Sequence, residues 1–297
     1  MRLEAYGRST GFAVDPIEKK PLYHFLPGSR VLSFGTAGCN LGCRYCQNWH
    51  MSKSRETDRM AERAGPRDIA EAAERLGCAS VAFTYNDPVV FLEYAVDTAR
   101  ECRARGLGTV AVTAGYILPE ARGEFFESMD AVNVDLKSFS DDFYRRLCSG
   151  RLEPVLDTLR YLRRRTRVWM EITTLLIPGE NDSEEEIGVL SRWIVDELGA
   201  DTPLHFTAFH PAWRMADTPR TPLSTLSRAR EQALSAGLRF VYTGNLHDPR
   251  GSHTSCPKCG TLLIERSGYS VRRLDVLGAG QCPHCRASIP GLFDPEA

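Results

Sequence analysis

Lysine is scarce in this chain of 297 residues: five of its 37 basic residues are lysine and the rest arginine. A skew of that kind has the character of a coding bias. It weakens any argument from arginine clusters such as "RRRTR" (163–167), which reads first as a solvated face. Excess charge is also missing. The formal net charge is −1, so no global field draws the chain to nucleic acid or anionic membrane. No run of about eighteen apolar residues is present, which excludes a transmembrane helix. The opening "MRLEAYGRST" lacks the apolar core of a secretory signal, so a cytoplasmic protein is expected. Internal repeats and low-complexity segments are absent too.

Cysteine is not scarce. Ten cysteines in a cytoplasmic chain argue for metal rather than disulfides. Three lie at 39–46 and four at 256–285. Cys78, Cys102 and Cys148 stand alone and are expected to be small core residues or half-exposed thiols.

From about residue 30 to 243, apolar runs rich in β-branched residues alternate with helical patterns. Strands are expected at 30–34, 80–85, 109–113, 131–136, 168–177, 204–209 and 239–243. Helices are expected at 66–77 and 88–106, each opening with Pro and closing with Gly. Two more are expected at 181–198, capped by Asp182 or Ser183, and at 221–238. This rhythm predicts parallel βαβ units, either an incomplete (β/α) barrel or a doubly wound sheet. Both put the chemistry at the C-terminal strand ends. Tyr85-Asn86-Asp87, Thr113, Asp135, Lys137, Glu180-Asn181-Asp182 and His210 fall there. After residue 250 the rhythm stops, and a linker into a separate small module is expected.

"GTAGCNLGCRYC" follows the first strand and spaces Cys39, Cys43 and Cys46 as C-x3-C-x2-C. Three thiolates hold three irons of a [4Fe–4S] cluster and leave the fourth open to a reactive ligand. Gly35, Gly38, Asn40 and Gly42 are expected to let backbone N–H groups approach the cluster sulfurs. The competing reading is zinc held by the three cysteines and His50. In the tail, Cys256-x2-Cys259 and Cys282-x2-Cys285 are separated by twenty-two residues, close to a zinc ribbon. So short a module buries little core and depends on metal. Zinc is the expected ion; a rubredoxin-like iron or an auxiliary iron–sulfur cluster are the alternatives. Arg266, Arg272, Arg273 and Arg286 lend the tail a mildly basic, solvated face, and His284 is expected to be a bystander.

With Tyr45 before the last cysteine, the loop resembles the radical S-adenosylmethionine (SAM) superfamily. Together with "FTYNDP", "VNVDLKSFSDDFYRRLC", "ITTLLIPGENDSEEE", "FTAFHPAWRM" and "VYTGNLHD", it resembles the AmmeMemoRadiSam-system radical SAM family. Those proteins are relatives of the pyruvate formate-lyase activating enzyme. The likeness runs from about Tyr6 to the end. It implies a partial (β/α)6-type radical SAM barrel over 30–250, an N-terminal lead-in over 1–29, and a zinc-ribbon-like module over 251–297. It implies that Cys39, Cys43 and Cys46 ligate a [4Fe–4S] cluster and that SAM chelates the open iron. Tyr45 is then expected near the adenine, Asn86 and Asp87 at the SAM amino group, and Asp135 and Lys137 at its methionyl and ribose end. Ile177 is expected to pack on the adenine, and His210 to face the active site as a catalytic candidate. Thr113-Ala114-Gly115 departs from the Thr-Asn-Gly usual in relatives, so a polar interaction made by that Asn is either missing here or supplied by another group. Relatives often carry a cysteine-rich segment ahead of the barrel, and this sequence starts directly at the barrel lead-in.

The expected activity is reductive cleavage of SAM to a 5′-deoxyadenosyl radical that takes hydrogen from a protein or peptide. A one-electron reductant such as flavodoxin or ferredoxin, and Memo-like and AMMECR-like pathway partners, are implied. The alternatives are radical modification of RNA or a small metabolite, or a non-catalytic interaction protein whose cysteines all hold zinc.

Overall fold

A computed structural model describes residues 3–54, 62–278 and 280–294. Residue 279 and residues 295–297 of the expected tail module lie outside these. One eight-stranded sheet forms the frame. In chain order its strands are β1 (Phe12–Pro16), β2 (Arg30–Phe34), β3 (Ser80–Phe83), β4 (Gly108–Thr113), β5 (Ala131–Asp135), β6 (Trp169–Leu176), β7 (Leu204–Ala208) and β8 (Val241–Gly244). Spatial order follows chain order from β1 to β8. The β1–β2 pair is antiparallel and all the others are parallel. A doubly wound sheet would reverse its order partway. This one never reverses, so the architecture is a singly wound, open (β/α) barrel.

Six helices join the parallel strands: α1 (Pro66–Arg75), α2 (Leu92–Arg103), α3 (Pro119–Phe126), α4 (Glu153–Arg165), α5 (Glu184–Leu198) and α6 (Leu223–Ser235). Helices α3 and α4 were not expected. Of the two cap candidates of α5, Ser183 is the cap, its hydroxyl accepting from the Glu186 N–H at 3.2 Å. Asp182 instead accepts from the Gly179 N–H. The helix expected from Pro88 begins as a 3-10 turn over Pro88–Phe91 capped by Asp87, and becomes α-helical only at Leu92. Among the described residues no helix is long and apolar enough to cross a membrane.

Strand side chains alternate between two cores. Leu32, Phe34, Val81 and Phe83 face the helices, whereas Val31, Ala82, Val110 and Ala131 face the barrel interior. That interior is layered. At its base Ile17, Leu22, Phe25 and Leu26 pack on the small inner side chains as a plug. Residues 12–29, expected as a lead-in, thus supply both an edge strand and the barrel floor. Above the plug lies a polar belt. The buried Glu171 carboxylate accepts from the Tyr23 and His24 N–H groups, the Trp169 indole and the His205 ring at 2.6–3.0 Å. These donors outweigh burial and hold its pKa below the ordinary carboxylate value. The third layer, at the C-terminal strand ends, is the site described below.

The tail module has three short strands, β9 (Thr254–Ser255), β10 (Leu262–Ser267) and β11 (Ser270–Leu274). It is not a separate body. Leu263, Ile264, Cys256, Cys282 and Ile289 share a core with Tyr23, Phe240 and Tyr242 of the barrel. Arg266, expected on a solvated basic face, is buried instead. Its guanidinium meets Glu18 at 3.5 Å, the Tyr23 carbonyl at 2.7 Å and the Thr254 hydroxyl at 2.9 Å, and lies over the Tyr23 ring. Aromatic area and a carboxylate from the barrel floor outcompete water here.

Two outcomes follow. Arg266→Met should cost about 3–5 kcal/mol in guanidinium denaturation, because it strands a buried carboxylate; a loss below about 1 kcal/mol would contradict the assigned role. Asp15 bonds Lys19 and Lys20 at 2.8 Å each. Burial pushes its pKa up, but both lysines and the Tyr85 hydroxyl outweigh that and hold it at about 2, against an ordinary 3.8. A depressed carboxylate stabilises above the unfolded value and loses that contribution as pH falls through the folded one. The stability gap between wild type and Asp15→Asn should therefore be about 2 kcal/mol at pH 6 and close towards pH 2, read by denaturant titration at each pH.

Candidate active site

At the strand mouths lies a cavity of about 270 Å³ lined by Cys39, Cys43, Cys46, Tyr45, Asp87, Asp135 and Lys137, among others. The cysteine loop reaches it because two neighbours hold its backbone. The Asn86 side-chain amide donates to the Thr36 hydroxyl and the Gly38 carbonyl and accepts from the Thr36 N–H. On the other side the Gly42 and Arg44 N–H groups donate to the Cys148 and Leu147 carbonyls at 2.7 and 2.8 Å. The loop glycines serve close packing. A Cβ on Gly35 would stand 2.3 Å from the Thr84 carbonyl oxygen, and one on Gly42 would stand 2.5 Å from the Ser149 hydroxyl. The Gly38 and Gly42 N–H groups bond backbone carbonyls. Free backbone donors for cluster sulfur, expected there, are therefore already used at these two glycines.

Sulfur geometry separates the two cysteine sets. A tetrahedral ion with metal–sulfur bonds of about 2.3 Å sets its sulfurs about 3.8 Å apart. In the tail, Cys256–Cys285 and Cys259–Cys282 sulfurs lie 3.6 and 3.7 Å apart, and all four lie within 4.8 Å of one another. Among the described residues this is the only such ligand set. Among the described residues Cys39, Cys43 and Cys46 form no such tight set, and His50 is exposed on the short helix Trp49–Ser52. Three thiolates lining one cavity without forming a tight tetrahedral set suit the corners of a cluster better than a Cys3His zinc site.

The remaining expected residues divide. Tyr45 lines the cavity with its ring buried and its hydroxyl 3.2 Å from the Cys148 sulfur. Asp87 caps the turn at Pro88, accepting from the Val89 N–H, the Thr113 hydroxyl and the Ala114 N–H. It thereby ties the ends of β3 and β4 together, and burial raises its pKa against these neutral donors. Ala114 has no side-chain amide, and its backbone N–H supplies the polar bond at this position. Thr113 works through Asp87, and is not itself among the cavity-lining residues. Lys137 and Asp135 pair at 3.0 Å within the cavity wall. Burial lowers the Lys137 pKa, but Asp135 and the neighbouring thiols outweigh it and raise it overall.

Ile177 and His210 are placed elsewhere. Ile177 is fully buried in the outer core, one residue past β6, and the cavity is met instead by Thr173 and Leu175. His210 is exposed in a neighbouring cleft, its Nε2 2.9 Å from the Asn245 carbonyl. Cys148 is a buried core residue as expected, its sulfur against the Tyr45 hydroxyl, whereas Thr173, Thr207 and Asn245 escaped the sequence reading. The alternation through Glu171, Thr173 and Leu175 was the available signal for one of them. Cys78 and Cys102 are core, as expected.

An open barrel of parallel strands, with three thiolates lining the cavity at its mouth, is an architecture in which a metal cluster would be held at the strand ends. A sequence model of the Radical SAM superfamily matches residues 34–188, and the chain belongs to that superfamily. It is 39% identical over 285 residues to an uncharacterized protein of Methanocaldococcus jannaschii, covering 96% of this chain and 84% of that one. It is 27% identical over 172 residues to the pyruvate formate-lyase-activating enzyme of Clostridium pasteurianum, covering 57% and 70%. The crystal structure of a radical SAM methyltransferase from Sphaerobacter thermophilus shares the fold, with a TM-score of 0.59 and 17% identity over 80% of this chain and 71% of that one. The chain is thus a radical SAM enzyme with activating-enzyme-like relatives.

Metal analysis checks the division of cysteines. Cys43→Ala should lose iron and labile sulfide and keep the tail ion. Cys256→Ala should lose the tail ion and keep most of the iron. Equal iron loss from both variants would contradict it.

Proposed function

We propose that this enzyme cleaves SAM reductively and takes a hydrogen atom from a protein or peptide substrate. The observation that carries the reading is the single cavity at the strand mouths lined by Cys39, Cys43 and Cys46 together. These three residues would hold a [4Fe–4S] cluster, leaving one iron for SAM to chelate; the bound cluster would supply, from an external reductant, the one electron needed to cleave SAM to methionine and a 5′-deoxyadenosyl radical.

The chain's own residues aim and enclose that chemistry. Asn86 has its amide engaged with the cysteine loop, so the SAM amino group falls to Asp87. Asp87 is a buried carboxylate bonded by neutral donors, and an ammonium would complete its surroundings. The Lys137–Asp135 pair offers a cation and an anion to the methionyl carboxylate and ribose. Tyr45 and Leu175 supply apolar wall for the adenine. Burial of the pocket keeps water from the reactive carbon.

Flavodoxin or ferredoxin is the proposed electron source. Zinc is the proposed tail ion, supported by the sulfur spacing of 3.6 and 3.7 Å. Membership of the AmmeMemoRadiSam system, with Memo-like and AMMECR-like partners in the cytoplasm, is proposed from the quoted motifs. A protein substrate is favoured by relatives named as activating enzymes for pyruvate formate-lyase and isethionate sulfite-lyase.

Anaerobically reconstituted, chemically reduced protein is expected to form 5′-deoxyadenosine from SAM, and Cys43→Ala to form none above background, both read by chromatography. No product from protein with a full cluster would count against the reading.

A further inference from the structure

A second cleft, of about 620 Å³, opens between the barrel rim and the tail module. Its barrel wall is formed by His210, the segment Thr243–Pro249, Ser252 and His253; its tail wall is the turn Glu265–Tyr269. Gln47 and Asn245 line both this cleft and the cluster cavity, so the two spaces meet at those side chains. Asn245 stands at the divide in the left-handed region, φ 61°. Its amide donates to the Ala208 carbonyl at 3.2 Å, and its side-chain oxygen accepts from the Tyr269 hydroxyl at 3.5 Å.

The cleft has one sign of free charge. Asp248 and Glu265 line it, neither ion-paired among the described residues. Its one basic side chain besides three imidazoles is Arg266, and that guanidinium is fully buried against Glu18, Tyr23, Ser252 and Thr254. Across the divide, Thr173 is 6% exposed and its hydroxyl has no partner among the described residues. An unmade buried hydrogen bond costs about 1–3 kcal/mol, a cost that a bound polar group removes.

We propose that cleft and cluster cavity are one substrate site, in which the outer cleft receives a lysine- or arginine-bearing segment of a protein chain. The tail module sets that preference through Glu265 and Tyr269. This rests on the radical SAM reading above and names its substrate class. The space is of the size that holds a side chain with flanking peptide. A cationic head finds two carboxylates and an exposed tyrosine ring. A phosphate backbone meets the same two carboxylates with no free cation to receive it, so RNA is disfavoured. Thr173 then meets a polar group of the residue carried into the inner cavity.

The test uses anaerobically reconstituted holoprotein with SAM and dye-labelled pools of short synthetic peptides, read by fluorescence anisotropy. The pools are lysine/arginine-rich, uncharged and aspartate/glutamate-rich, with an RNA oligonucleotide pool beside them. The basic pool should bind about tenfold tighter than the uncharged one, and the preference should shrink with salt. Glu265→Gln with Asp248→Asn should lose most of that preference while keeping the tail ion, which excludes a folding loss. Equal binding of all pools, tighter binding of RNA, or an unchanged preference in the double variant would overturn the proposal. SAM cleavage by the same wild-type preparation separates the two levels. Cleavage without a peptide preference overturns this inference alone, and no cleavage from a full cluster overturns the reading beneath it.

Discussion

The site depends on two adjacent side chains at the end of β3. The Asn86 amide holds the cysteine loop by three hydrogen bonds, and the Asp87 carboxylate holds the start of the next loop by two. Neither does so from an exposed position; both are buried, where an unmade polar bond is expensive and a made one is hard for water to replace. Loops of this length are soft on their own. Tied to one strand end, three loops from β2, β3 and β4 take a common position. The thiolates can then stand apart on a rigid rim without any protein group reaching between them. Pro88, directly after the pair, turns the chain into its helix and keeps the two side chains aimed back at the mouth.

The barrel interior works as a graded medium. Its base is apolar, its middle is a polar belt centred on the fully bonded Glu171, and its top holds polar groups with free capacity. Small inner residues such as Ala82 and Ala131 admit the Ile17–Leu26 plug from below. That plug fills the base of the barrel and leaves the cavity at the strand mouths. The layering also keeps the buried charge of Glu171 away from the chemistry, satisfied by backbone N–H groups and by His205.

Spacing along the chain made much of this legible. Both cysteine sets are dense, local patterns, and their metal chemistry follows from thiolate count. The strand–helix rhythm predicted a barrel or its doubly wound rival, and only sheet order could decide between them. Side-chain phase was harder. Ile177 lies one position beyond β6, so its apolar character fits an adenine wall and a helix-facing core equally well. Arg266 reads as a surface residue, since its carboxylate partner Glu18 lies 248 positions away and nothing local announces it. Asn86 looked like a ligand contact because its type suits one; its partners in the Thr36–Gly38 loop are visible only in three dimensions. Thr173 was hidden by its neighbour Thr174, which bonds the Leu136 carbonyl while Thr173 bonds nothing.

The two ends of the described chain are sewn together beneath the barrel. The Leu26 N–H donates to the Leu292 carbonyl and the Leu292 N–H to the His24 carbonyl, each at 2.7 Å. Burial holds the His24 imidazole neutral, with its pKa down to about 4. Its Nδ1 can then donate to the Pro290 carbonyl while Nε2 accepts from Tyr242. Contacts of such sequence separation are the slowest to form. During synthesis the plug therefore waits, seated but unlatched, until the tail leaves the ribosome. The tail in turn shares its core with the barrel at Tyr23, Phe240 and Tyr242. Loosening of the tail would thus reach the barrel floor directly, because the same two backbone bonds hold the plug at Leu26 and the tail at Leu292.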